Sequence, residues 1–270
     1  MIKTQRLDHA MVERELADTR SRAKALIMAG DVLVNGQKEM RAGHNVGPAD
    51  TLTLRAKPRF VSRGGEKLDH ALGVFGMDVN GMTAADLGSS TGGFTDCLLQ
   101  RGASKVYAVD VGYGILDERI RTDPRVISME RTNARYLTEL PEPVDIVVID
   151  VSFISLSLML PVAARILEPE GICVPLIKPQ FEAGKENVGK RGVVRDPAVH
   201  EMVLRNAIGH AGKNNLSILG LIASPLRGPN GNVEFLASLI RDASVESPDV
   251  DRLIASAMAE AKALTEEATS

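Results

Sequence analysis

Lys67, Asp150, Lys178 and Glu234 are four ionisable residues that the sequence sets at the ends of elements. Asp150 closes the apolar run 144–149 and Lys178 closes 172–177, both read as central strands. Glu234 opens the run 233–240, and Lys67 stands just ahead of a helix expected over 68–75. Open α/β sheets bind ligands beyond the carboxyl ends of their strands, so Asp150 and Lys178 are expected at a ligand mouth. Lysine and carboxylate there suit proton removal from a weakly acidic hydroxyl, because an amine becomes a base when burial or a neighbouring cation disfavours its charged form. Singly, each residue has a plainer reading: a solvated strand end, a turn acid, a first-turn lysine.

The ligand is suggested by the turn Asp86-Leu87-Gly88-Ser89-Ser90-Thr91-Gly92-Gly93-Phe94, which lies between a short strand and a helix. Its glycines let backbone approach a ligand closely. A second strand ends about twenty residues on in Asp110, placed to bind a ribose diol. A dinucleotide site needs Gly-x-Gly-x-x-Gly, and here the middle glycine is absent; no Gly-Lys-Ser/Thr follows, which removes a P-loop. Asp86 at the head of the turn is poor for a pyrophosphate but suits a ligand with an amino group and a sulfonium. S-adenosylmethionine is favoured on these grounds over a dinucleotide, with Asp110 at its ribose and Asn133 near its adenine edge.

The methyl acceptor is narrowed by what is missing. After the fourth strand this chain reads Asp150-Val151-Ser152-Phe153, where amino-directed methyltransferases commonly carry Asn/Asp-Pro-Pro-aromatic. Cys97 and Cys173 lie in helix-like and strand-like apolar runs, as small core residues, and neither is an exposed nucleophile for carbon-5 pyrimidine chemistry. Oxygen remains, and a ribose 2′-hydroxyl needs a base.

The elements that would position these groups alternate strand and helix, with near-continuous apolar strands at 83–87, 106–109, 126–129, 144–150, 172–177, 216–223 and 233–240. That pattern predicts an α/β fold, a Rossmann-like doubly wound sheet, mostly parallel with the last strand antiparallel, and helices on both faces. Helices are expected over 154–167, from Pro197 behind the cap Asp196 to Gly212, and over 251–264. A different pattern precedes them: helices over 6–16 and from a Thr19 or Ser21 cap to Gly30, a strand at 32–34, an Asn35-Gly36 hairpin turn and a strand at 51–54. The Pro58-containing basic stretch 55–60 separates the two, giving domains 1–58 and 59–270.

The composition is that of an ordinary globular protein, 44% hydrophobic and 25% charged over 270 residues. Two cysteines point to a reducing, cytoplasmic setting. Residues 1–6 lack an apolar signal core, and 144–167 is broken by Asp145, Asp150, Pro161 and Arg165, so neither secretion nor a membrane span is expected. No metal-ligand cluster is apparent. Residues 1–60 carry eleven Lys/Arg against seven Asp/Glu, leaving the rest of the chain at −7. By charge alone Arg6, Arg20, Arg22 and Lys24 read as a solvated helix face, and Lys190 and Arg191 as part of a flexible glycine-rich basic loop 185–195. It is a resemblance to an RNA-binding module that makes them candidates for RNA phosphates.

The run from Arg6-Leu7-Asp8 through Ser21-Arg22-Ala23-Lys24-Ala25-Leu26-Ile27 to Asn35-Gly36 resembles the α-L RNA-binding motif. With it, Ser62-Arg63-Gly64-Gly65-Glu66-Lys67-Leu68, the 86–96 turn, Asp150-Val151-Ser152-Phe153-Ile154-Ser155 and Lys178-Pro179-Gln180-Phe181-Glu182 resemble the TlyA (haemolysin A-type) family with its FtsJ-like methyltransferase domain, over almost the whole chain. The resemblance implies 2′-O-methylation of ribosomal RNA in ribosomal subunits, typically at cytidine, with S-adenosylmethionine as donor. It implies Lys178 as general base, Lys67 and Asp150 positioning the hydroxyl and tuning the lysine, and Glu234 orienting the pair. Asp86, Gly88, Ser89, Gly92, Phe94, Asp110, Asn133 and Asp150 would line the donor. Thr91, Phe94 and Asn133 depart from the usual proline, tryptophan and aspartate of FtsJ-like proteins, and Lys57 stands where some relatives have tryptophan. Two other readings compete: a non-catalytic RNA-binding assembly factor, which the intact four-residue set disfavours, and a membrane-active haemolysin, which no segment supports.

Overall fold

The computed structural model describes residues 4–55, 58–228, 230–246 and 248–267, so Lys57 and the amino-terminal Lys3 lie outside the described residues. The chain forms two compact units, 1–59 and 60–270.

In the first unit β1 (Gln5–Arg6) leads into α1 (Leu7–Glu13), which ends short of the expected Leu16 because Glu15 turns left-handed (φ 58°). α2 (Arg20–Ala29) is capped by the Thr19 hydroxyl, which accepts from the Arg22 amide, and stops at left-handed Gly30. β2 (Val32–Val34) and β3 (Gln37–Lys38) form a hairpin across Asn35 and Gly36, both at positive φ as a type I′ turn demands. β4 (Asn45–Val46) pairs with β1, and β5 (Leu52–Leu54) pairs with β2. Leu7, Met11, Ile27 and Val32, all fully buried, form the small core between helices and strands.

The second unit opens with α3 (Arg63–Val74), then β6 (Thr83–Leu87), α4 (Gly93–Gln100), β7 (Lys105–Val109), α5 (Glu118–Arg121), β8 (Val126–Met129), β9 (Val144–Ile149), α6 (Leu156–Ile166) and β10 (Leu167–Ile177). α7 (Pro179–Glu182), α8 (Pro197–Gly212), β11 (Ser217–Ala223), β12 (Phe235–Ile240) and α9 (Val250–Glu267) complete it. The sheet order is β11-β12-β10-β9-β6-β7-β8. β12 runs antiparallel to both neighbours and the ladders β10–β9–β6–β7–β8 are parallel. One face packs α6, α8 and α9 through residues such as Met159, Leu204 and Ala257; the other packs α3 and α4 through Leu68, Leu72 and Leu98. Cys97 and Cys173 are fully buried in these two layers, and burial pushes the Cys173 thiol far up.

Candidate active site

Strand polarity explains how residues far apart in sequence meet. β9 and β10 are parallel, with Ile149 opposite Pro175, so Asp150 and Lys178 emerge at the same edge. β12 is reversed, with Phe235 opposite Ile177, so its beginning rather than its end reaches that edge. Glu234, which the sequence sets inside the last strand, lies one residue ahead of β12. Lys67 also differs from expectation. α3 begins at Arg63, not Leu68, so Lys67 sits on the helix rather than before it. The Ser62 hydroxyl caps it, accepting from the Gly64 amide at 3.3 Å. The two glycines look like a breaker but serve packing: a Cβ at Gly65 would strike the Phe60 ring, and Gly93 abuts the Gly65 backbone.

The result is two ion pairs in one cleft of about 650 Å³. Lys67 Nζ donates to Glu234 Oε2 at 2.5 Å, with the carboxylate side chain 1% exposed. Lys178 Nζ lies 2.6 Å from Asp150 Oδ1 and donates to the Val151 carbonyl at 2.9 Å and the Ser152 hydroxyl at 3.1 Å. Gln180, a residue the sequence does not single out for chemistry, donates to the other oxygen of Glu234 at 3.2 Å. Phe153 is another. Its backbone is left-handed (φ 63°), which turns the ring out to 90% exposure, 4.9 Å from the Phe181 ring. A bulky residue at positive φ carries strain that persists only where the surroundings hold it, as at binding sites.

The glycine turn forms the adjoining wall. Gly88, left-handed at φ 89°, lets β6 end 2.8 Å (from a notional Cβ) against the Asp150 carbonyl, which no side chain would allow. Ser89 is buried and Phe94 lines the cleft behind it. Gly92 caps α4 in the left-handed region, and a Cβ there would press on Leu116 and Ile120, so its lack of a side chain also serves the packing of the turn. Asp86 is fully buried; its Oδ2 accepts from the Thr95 amide and hydroxyl, while Oδ1 has no partner. Burial pushes its carboxyl up to about 7, with Thr95 opposing and the charges of Asp150 and Asp110 adding. A second recess of about 320 Å³ continues past Gly88 to Asp110 and Asn133. Asp110 accepts from the Ser90 and Gly112 amides, and the Asn133 side chain caps a short 3₁₀ turn through the Arg135 amide.

The basic candidates divide. Lys190 and Arg191 are exposed in the 185–195 loop, and so are Arg22 and Lys24 on α2. Arg6 and Arg20 instead converge on Asp8, whose side chain is wholly buried, at 3.0 and 2.9 Å. These hydrogen-bonded guanidiniums hold the Asp8 carboxyl well below the usual carboxylate range. Their first task is therefore structural, a link with no signal in the local sequence. Among the described residues no helix is long and apolar enough to cross a membrane, and no group of three His, Cys, Asp or Glu could hold a metal.

The FtsJ-like methyltransferase profile matches residues 60–241 and the S4 domain profile matches 5–52. The chain belongs to the TlyA family of FtsJ-like methyltransferases. It is 49% identical over 244 residues to YqxC of Bacillus subtilis, covering 88% of this chain and 86% of that one. It is 44% identical over 241 residues to the 16S/23S rRNA (cytidine-2′-O)-methyltransferase TlyA of Mycobacterium tuberculosis, covering 87% and 89%. A solved structure of a hemolysin-named protein from Streptococcus thermophilus superposes with a TM-score of 0.77 at 41% identity, over 100% of this chain and 99% of that one.

Proposed function

We propose that this protein is an S-adenosylmethionine-dependent rRNA methyltransferase that methylates a ribose 2′-hydroxyl, at cytidine by analogy with its TlyA relative. The observation that carries the reading is the pair of ion pairs, Lys178–Asp150 and Lys67–Glu234, in one cleft beside the Gly88 turn. Asp110 and Asn133 would hold the donor's ribose and adenine, Gly88, Ser89, Gly92 and Phe94 its methionine part. The fit is supported by the buried, unpartnered Oδ1 of Asp86, an acceptor suited to a cationic amino group. When bound, S-adenosylmethionine supplies an electrophilic methyl group on a sulfonium.

Lys178 would take the proton from the 2′-hydroxyl. In the structure its ammonium is shared among Asp150, the Val151 carbonyl and the Ser152 hydroxyl, so to act as a base it would release a proton to the Asp150 carboxylate and turn the freed lone pair to the substrate hydroxyl. Asp150 steadies the ammonium that forms. Glu234 is a positioning residue: it fixes Lys67, which faces the developing oxyanion as a cation. The exposed cations Arg22, Lys24, Lys190 and Arg191 would meet RNA phosphates, which position a substrate without reading its sequence. A target nucleotide in folded rRNA would have to flip out to reach Lys178.

The test is transfer of labelled methyl to ribosomal subunits by the purified protein. Lys178→Ala is expected to lower transfer by about 10²–10⁴-fold, the usual worth of a positioned base, with donor binding retained. Donor binding without transfer by the unaltered protein would favour a non-catalytic assembly factor.

A further inference from the structure

Sharing Asn230 with the catalytic cleft is a further cavity of about 730 Å³, which the reaction does not use. Its walls are mostly apolar: Val193 and Val194 from the basic loop, Val233 beside Glu234, and Met258 and Ala261 on α9. Three cations, Arg195, Arg227 and Lys262, border it, and no carboxylate among the described residues lines it. Acids that adjoin the lining residues along the chain have partners, Glu260 accepting from the Ala223 amide and Glu234 from Lys67. Asp196 accepts from the Ala198 amide, and Glu266 sits 3.9 Å from Lys262 on the exposed side of α9. His200 is buried in the wall. Its ring bonds Val194 backbone, its Nε2 has no partner, and burial lowers its pKa, so Nε2 is a lone-pair acceptor facing no donor.

The two cavities are joined through one loop. Asn230 borders both, and Gly192 lines the catalytic cleft while Val193, Val194 and Arg195 line the other. Asn232, 2% exposed, ties this loop to the start of β12: its Oδ1 accepts from the Val194 amide at 3.0 Å and its Nδ2 donates to the Gly192 carbonyl at 2.9 Å. Apolar walls, a rim of cations and a buried acceptor are what a nucleotide requires: a base to desolvate, a phosphate to neutralise and an N–H or O–H edge to satisfy. The volume is within the ~300–1,000 Å³ range of ligand pockets. Resting on the reading of the catalytic cleft as an RNA methyltransferase site, we infer that this cavity holds a nucleotide flanking the methylated one in the RNA strand, its base between α9 and the 193–195 loop and its phosphate at Arg195, Arg227 and Lys262.

The test follows the 13C-labelled methyl resonance of Met258 in the full-length protein during titration with the four ribonucleoside 5′-monophosphates and, separately, inorganic phosphate. A saturable millimolar shift with at least one nucleotide is expected. It should be absent in Arg195→Ala/Arg227→Ala/Lys262→Ala, reduced in the cavity-filling Ala261→Phe, and retained in Lys178→Ala. In the transfer assay the triple variant should raise KM for ribosomal subunits about tenfold, with kcat and donor affinity unchanged. No Met258 shift, an equal shift with phosphate alone, or an unchanged KM would overturn the inference. Nucleotide binding at Met258 by a protein that transfers no methyl would instead sink the catalytic reading while leaving the second site standing.

Discussion

Lys67 and Glu234, 167 residues apart in sequence, form a 2.5 Å ion pair whose carboxylate is almost wholly shielded from water. Desolvation of two such charges offsets most of their attraction, so the pair is weak evidence of stabilisation, yet removing one partner strands the other. Glu234→Ala is expected to cost about 3–5 kcal/mol in chemical denaturation. Lys67→Met/Glu234→Leu should regain most of that stability while methyl transfer stays abolished. If the double variant remains as unstable as the single, the pair belongs to the scaffold more than to the site.

Asp86 ties stability to pH. Its carboxyl is raised to about 7 from an ordinary 3.8, so between those values the folded protein keeps a proton that the unfolded chain releases. The protonated form is favoured on folding, and stability therefore falls as pH rises through this window, by up to about 4 kcal/mol at the top. Asp86→Asn removes the titration. Without cofactor, the variant's advantage in denaturation should grow between pH 5 and 7 and level off above pH 8. Donor affinity of the unaltered protein should move oppositely, rising with pH as Asp86 ionises to face the amino group. An advantage of equal size at pH 5 and pH 8 would refute the buried titration.

The contrast between these two sites shows what a sequence carries. Asp150 and Lys178 are legible because a parallel strand delivers its last residue to a known edge, and Thr19, Gly30, Asn35-Gly36 and Asp196 because caps and turns are local chemistry. α3 starts five residues ahead of the pattern's expectation because Gly64 and Gly65 answer to Phe60 and to the Gly93 turn, packing that no local pattern encodes. Gly92 makes the same point: spacing marks a glycine as permissive but does not say that Leu116 and Ile120 are the neighbours that need the room. Gln180 at Glu234 and His200 in its cavity wall are tertiary facts throughout.

Phe153 separates binding from folding. At 90% exposure its ring contributes little to the core, and its position beside Phe181 at the mouth of the cleft suits stacking on an unpaired base. Base–aromatic stacking is worth about 1–3 kcal/mol. Phe153→Ala should therefore raise KM for ribosomal subunits by about 5–100-fold with Tm lowered by no more than a degree or two. Phe153→Trp should restore binding. Loss of Tm comparable to a core truncation would mean that the ring serves the fold.

The arginines of the first unit should part company on mutation. Arg22 and Lys24 are exposed on α2 with Thr19 capping behind them, so Arg22→Ala/Lys24→Ala should leave Tm unchanged. RNA affinity should fall, and the slope of log affinity against log salt should shrink by about one to two, one for each phosphate no longer neutralised. Arg6→Ala or Arg20→Ala acts elsewhere. Each removes part of the charge that keeps Asp8 ionised inside the module, so the expected result is a lower Tm, partly recovered at acid pH where Asp8 takes up a proton. The sign follows from the Asp8 carboxyl: with its cations removed, its charged form becomes the costly one, and lowering pH discharges it. Substituting Asp8→Asn in the Arg20→Ala background should recover Tm at neutral pH as well. A fall in RNA affinity at unchanged Tm for Arg20→Ala would instead return that arginine to the RNA-binding face.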